Sequence, residues 1–309
     1  MLSGGDPRTI IKLIKLGEAE TGISDKLLKG LIAYAKGISK DAVKALTSLS
    51  ARDFHPGPGG HLALAQATLM AKRDAVKAMA YLDEARLLSP GTLVEEAALR
   101  RTVPLAIGMK DFDKLLRTMT CYMRRFNNSV YASTFHWSFA KGIAASEYAK
   151  DEKNIKHLVR EIDLLETERK KVMYKVLAEQ AIITGNLKFS RILTKKMAEL
   201  SKDDPATMLK AQLYEAAILL FSEKYDYANS VINAIDARKL ESRDKDILKA
   251  ARIVAKRLRE PVAENAVVIP PQASAAQGKD AGMGEMPPVV KAGRAAIATA
   301  DELLNGTGP

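Results

Sequence analysis

The stretch from Tyr81 to Arg101, YLDEARLLSPGTLVEEAALRR, does most to limit what this chain can fold into. It holds two helical patterns separated by a break too short for anything but a reversal of direction. Leu82, Ala85, Arg86 and Leu88 close the first pattern. Ser89-Pro90-Gly91-Thr92 makes the turn, and Val94, Ala97, Ala98 and Leu99 open the second. Pro90 disfavours helical geometry at Ser89 and so ends the first helix. Thr92 is placed to N-cap the second, with Glu95 three residues on to complete a capping box. Glu95 and Glu96 also put negative charge in the first turn, where the helix dipole favours it. The stretch predicts a helical hairpin.

Similar units follow on both sides. Asp6-Pro7 opens a first helix with Ile10, Ile11, Leu13 and Ile14 on its apolar face. Ser24 caps a second helix carrying Leu27, Leu28, Leu31, Ile32 and Ala35, and Gly37 ends it. Ser39 caps a third with Val43, Leu46 and Leu49. The segment HPGPGGH, His55 to His61, reads as a sharp break. Beyond Asn127–Tyr131, a loop, helices are expected at 132–148, from Asp151 to Leu165, and at about 169–184, 187–200, 206–222, 225–235 and 244–258. No strand-like alternation occurs in this pattern.

The helix pairs invite comparison with the tetratricopeptide repeat, whose period is ~34 residues. Setting Pro90 at the terminal proline of that template puts Ala78, Leu82 and Ala85 at its small, large and small positions. Gln66 stands where the first helix of the pair wants Gly or Ala. In the next pair Phe112 and Met119 replace expected alanines, and Pro104 is expected to kink or divide the first helix. The fold class is therefore all-α, a tetratricopeptide-like array of antiparallel helix hairpins forming a degenerate α-solenoid. The helical-repeat domain is expected over 1–260. Pro270-Pro271 and Pro287-Pro288, with Gln, Ala and Gly between them, mark a flexible linker over 261–288. A last helical pattern covers 289–305, with Val289, Ala292, Ala296, Ala300 and Leu303 along it.

Chemistry is harder to find. The four histidines (His55, His61, His136 and His157) do not form HExxH, and the lone Cys121 offers neither a zinc pair nor an intramolecular disulfide. Gly57, Gly59 and Gly60 lack the Lys-Ser/Thr of a phosphate loop and read as a turn. Asp83-Glu84 and Glu95-Glu96 sit at adjacent helical positions that point in different directions, so capping and solvation account for them. No catalytic, cofactor-binding or metal-binding set emerges. The net charge of +11 is spread among 37 acidic residues. The basic runs, such as Arg169-Lys170-Lys171 and Lys256-Arg257, have no aromatic platform for base stacking, so a charged solvent face is expected rather than nucleic-acid binding. No run approaches the ~18 apolar residues of a membrane span, so membrane insertion is not expected. Long concave surfaces of helix-pair solenoids suit protein partners.

The run from Leu82 to Arg101, LDEARLLSPGTLVEEAALRR, resembles the MotC family of rhizobial motility proteins. The likeness continues through Tyr122-Met123-Arg124-Arg125-Phe126 and Ser129-Val130-Tyr131-Ala132-Ser133, and more loosely in Leu2-Ser3-Gly4-Gly5-Asp6-Pro7, Glu166-Thr167-Glu168-Arg169 and the region from Ala292 to Leu304. The resemblance implies a non-enzymatic periplasmic protein of flagellar motility. It implies binding to the periplasmic part of the stator protein MotB and assistance in folding or placing it. Family members begin with a signal peptide and a further helical segment, whereas Met1 falls where they already have the SGG turn. This chain is therefore expected to lack its native N-terminus, and the periplasmic location follows from the resemblance alone. The alternative is a cytoplasmic tetratricopeptide-like adaptor, RNA-associated through its charge. Arg100, Arg101, Arg124 and Arg125, two pairs within the resembling hairpins, are the candidate contacts to an acidic partner. Against that stands a structural role, with Arg100 paired to Glu96 one turn away and the others on a solvated face.

Overall fold

The computed structural model describes residues 24–259. The helix expected from Asp6-Pro7, the linker at 261–288 and the pattern at 289–305 lie outside that range. The described residues contain thirteen α-helices and no strand. They divide between two compact units that part within one helix, after Leu193.

In the first unit α1 (Asp25–Ala35), α2 (Ser39–Leu46), α3 (Pro56–Met70), α4 (Ala75–Leu88), α5 (Leu93–Gly108), α6 (Phe112–Arg125), α7 (Ala132–Ala145), α8 (Glu152–Asp163) and α9 (Thr167–Ile183) follow one another through short turns. α10 (Leu187–Leu200) crosses into the second unit, which continues with α11 (Pro205–Leu219), α12 (Tyr225–Ala234) and α13 (Ser242–Arg259). Within the first unit α3 packs on α4 and α5, α5 on α6 and α7, and α7 on α9, while α6 packs on α8. Helices thus meet both their neighbour and the next but one, the contact pattern of stacked hairpins. Asp83 on α4 joins Lys114 on α6, and Arg86 on α4 reaches the sulfur of Cys121 on α6.

Local sequence explains where the helices begin. Asp74, Asp111, Asp151 and Asp204 each accept backbone N–H bonds from the first turn of α4, α6, α8 and α11. Such caps satisfy donors that a helix start leaves unpaired. Ser24 and Ser39 were expected to cap by side chain; Ser24 makes no such bond, and Ser39 is the first residue of α2. Gly37 ends α1 with a positive φ of 72°.

The core at the start of the array gathers Leu46, Leu62, Ala63, Leu82, Ala85 and Ala98 from α2, α3, α4 and α5. Ala78, Leu82 and Ala85, the small-large-small set, are fully buried. Gln66, at a position where the template wants a small residue, is fully buried too. Its amide donates at 2.8 Å to the carbonyl of Leu46, the last residue of α2, and to that of Leu49 in the turn after it. A longer polar side chain is used here to satisfy the last carbonyl of the preceding helix and one in the turn that follows it.

Two expectations need correction. The HPGPGGH segment is no break: Pro56 to Gly60 form the start of α3. Prolines are tolerated in a first turn because the amides they lack have no intrahelical partner there. The glycines are required because a Cβ at Gly59 would meet the carbonyl oxygen of Ala51, and one at Gly60 the hydroxyl of Ser89. Pro104 does not divide α5, which runs unbroken through it, with the proline on the exposed side.

Candidate functional site

The resembling hairpins meet where α5, α6 and the turn before α7 come together. Glu95 and Glu96, expected to be solvated, are 2% and 1% exposed. The carboxylate of Glu95 accepts from the Gly91 N–H at 2.6 Å and from the Arg125 guanidinium at 2.9 Å. Thr92 caps the Val94 N–H instead of that of Glu95, so the predicted box closes one residue earlier, on Gly91. Gly91 allows this by taking φ = 78°.

Glu96 points the other way, into the protein, and accepts from the Tyr122 hydroxyl at 2.6 Å. Burial, with Glu96 alongside, raises the Tyr122 phenol well above its usual range and keeps it a hydrogen-bond donor. The Tyr122 ring stacks on Phe135 with centroids 3.7 Å apart. His136 stands edge-on to Tyr122; its Nε2 is buried without a hydrogen-bond partner, and burial lowers its pKa to about 4.

The four candidate arginines take different places. Arg100 does not pair with Glu96; its guanidinium lies over the Tyr131 ring, 4.2 Å from the centroid. Cation–π contact accounts for that position better than charge pairing, because Glu96 is already engaged by Tyr122. Arg101 reaches back to α3, donating to the Leu64 carbonyl and the Thr68 hydroxyl. Arg125 is half exposed and ties α6 to the start of α5 through Glu95. Arg124 is exposed and makes no ion pair among the described residues. The structure therefore brings Arg100 and Arg125 to the same seam, turns Arg101 toward α3, and leaves Arg124 open to solvent.

The two turns of this seam expose apolar side chains. The 89–92 turn and the 126–131 turn are joined by Arg125, which also lies against Gly91. Leu87 and Leu93 flank the first turn at 74% and 70% exposure, and Val130 in the second is 90% exposed. Sequence reasoning missed the buried Glu96–Tyr122 bond. Its partners lie 26 residues apart, and a Tyr one helix after a first-turn Glu is the available signal.

Among the described residues no three His, Cys, Asp or Glu side chains gather in a way that could hold a metal ion. A helical-repeat protein, held at its seams by buried carboxylates and tyrosines, is the class that this fold and cluster define. Residues 1–309 match the model of the family described as Chemotaxis protein MotC, and the chain belongs to that family. It is similar to Chemotaxis protein MotC of Rhizobium meliloti (strain 1021), with 29% identity over 310 residues that cover all of this chain and 68% of the relative. No solved structure matches it. Membership makes this a chemotaxis and motility protein. No helix among the described residues is long and apolar enough to cross a membrane.

Proposed function

We propose that this protein is a non-enzymatic, periplasmic binding protein of flagellar motility, which holds the periplasmic part of the stator protein MotB and assists its folding or placement. The observation that carries the reading is the edge formed by the 89–92 and 126–131 turns. Arg124, Leu93 and Val130 are all exposed there, and Arg124 makes no ion pair among the described residues; all three fall within the stretches that carry the family resemblance. Exposed apolar side chains and an exposed arginine suit an acidic and aliphatic partner surface. Arg100 and Arg125 act from beneath, fixing the two turns through Tyr131 and Glu95.

Retention of the full chain by an immobilised periplasmic domain of MotB tests this. Arg124→Glu combined with Val130→Asp is expected to reduce retention at least tenfold with helicity unchanged. Equal retention of the variant, or none of the parent, overturns the reading.

A further inference from the structure

α13 packs on α11 and α12 with one face and exposes the other. Along the open face Lys245, Lys249, Arg252 and Lys256 follow one another at steps of four, three and four residues, which sets them in a single stripe. Against the stripe lies a groove of about 400 Å³, floored by Leu248 and the half-exposed Ile253 and walled by Ala237 from the turn after α12. The wall is fixed in place, because Arg252 donates to the carbonyls of Ile232 and Ile235 and so ties the end of α12 to α13.

The three lysines are exposed and make no ion pair among the described residues. No carboxylate lines the groove. Asp236 is taken by Arg238, and Asp244, buried on the other side of α13, by Lys210 and Tyr214. Like charges three and four residues apart repel along a helix, and an apolar floor open to water is unfavourable. One occupant relieves both, provided it brings carboxylates for the stripe and aliphatic side chains for the floor. The stripe covers about 16 Å of helix axis, three turns, which is too long for a single small anion. A bilayer is flat and does not enter a groove. A nucleic acid would use the stripe but not the floor, and no aromatic ring stands in the lining to stack a base. A second copy of this chain carries the same net charge of +11, so complementarity points to a different, acidic chain.

We propose that this groove receives an acidic amphipathic helix of a partner protein, its aliphatic face on Leu248 and Ile253 and its carboxylates along Lys245, Lys249 and Lys256. The site lies within the second unit and shares no residue with the 89–92 and 126–131 turns, so it stands or falls independently of the MotB reading.

Fluorescence anisotropy of a labelled helical peptide titrated with the full chain tests this. The probe has the 18-residue length of α13, leucines recurring every three or four positions and glutamates on both flanks. It is expected to bind at least tenfold more tightly than a scrambled peptide of the same composition. Lys249→Glu/Lys256→Glu and Ile253→Asp should each weaken binding at least tenfold with helicity unchanged, since all three side chains are exposed. Lys40→Glu/Lys72→Glu, which makes the same change of net charge in the first unit, should bind as the parent does. Absence of binding, equal binding of the scrambled peptide, or binding that survives the α13 substitutions overturns the proposal. So does an equal loss in Lys40→Glu/Lys72→Glu, or equally tight binding of polyuridine or phosphatidylglycerol vesicles through the same residues.

Discussion

The first and second units each bury a tyrosine hydrogen-bonded to a carboxylate, but they neutralise the charge differently. At the α5–α6 seam Tyr122 meets Glu96, and the adjacent Glu95 draws on Arg125, whose side chain is 44% exposed. In the second unit Tyr214 on α11 donates to Asp244 on α13 at 2.6 Å, and Lys210, only 4% exposed, makes 2.8 Å contacts with both Asp244 and Glu241. Burial pulls the Lys210 ammonium toward the neutral form, and the hydrogen bonds it donates to Asp244 and Glu241 outweigh that, so its pKa is raised. One seam leaves its cation at the edge, within reach of a partner. The other seals cation and anion inside, where their role is confined to holding α11 against α13. Burying a charge with its counter-charge is tolerable; burying it alone is not.

That contrast sets an order of effects. The largest is expected for Asp244→Ala, which strands Lys210 with only the exposed Glu241 and should cost about 3–5 kcal/mol in urea unfolding followed by circular dichroism. Lys210→Met/Asp244→Leu should recover most of that loss. A cost for Asp244→Ala no greater than that of an exposed salt bridge would erase the distinction between the seams. Next comes acid. The folded pKa of His136, about 4, lies below its ordinary 6.5, so the unfolded chain binds the proton first. The stability that this neutral histidine carries is whole above pH 6.5 and is lost as pH falls toward 4, by at most about 3 kcal/mol. Unfolding curves between pH 7 and 4 should show that slope, and His136→Phe should flatten it. The smallest effect is expected for Arg125→Ala. Half of that side chain is already in water, and Glu95 keeps the Gly91 N–H, so about 1 kcal/mol is expected, diminishing further in high salt.

Much of the architecture was legible because it rests on local signals. Pro90 and Gly91 mark the reversal, Asp151 and Asp204 mark helix starts, and the Ile155–Leu158–Ile162 stripe is buried as its spacing requires. The HPGPGGH segment misled because proline and glycine usually interrupt helices. Here the prolines occupy the first turn, and the glycines answer to Ala51 and Ser89, residues that only the folded chain brings near. The site was less legible for a related reason. Glu95 and Glu96 are typical first-turn residues, and that local role was read correctly, yet their burial depends on Tyr122 and Arg125 from the following helix. Likewise nothing next to Arg100 in sequence announces Tyr131, whose ring it covers. The two pairs of arginines look equivalent along the chain and become inequivalent once folding gives each a different surrounding.

The habit of each helix packing on its neighbour and the next but one has a consequence for how the chain is made. The longest hydrogen bonds described, Arg101 to the Leu64 carbonyl and Asn186 to the Ala149 carbonyl, span 37 residues. Such short loops close with little entropic penalty, and a fold built from them does not wait for distant segments to meet. As the chain leaves the ribosome, each new hairpin finds a finished surface already in place. The array can therefore assemble in the order of its sequence, from one end to the other.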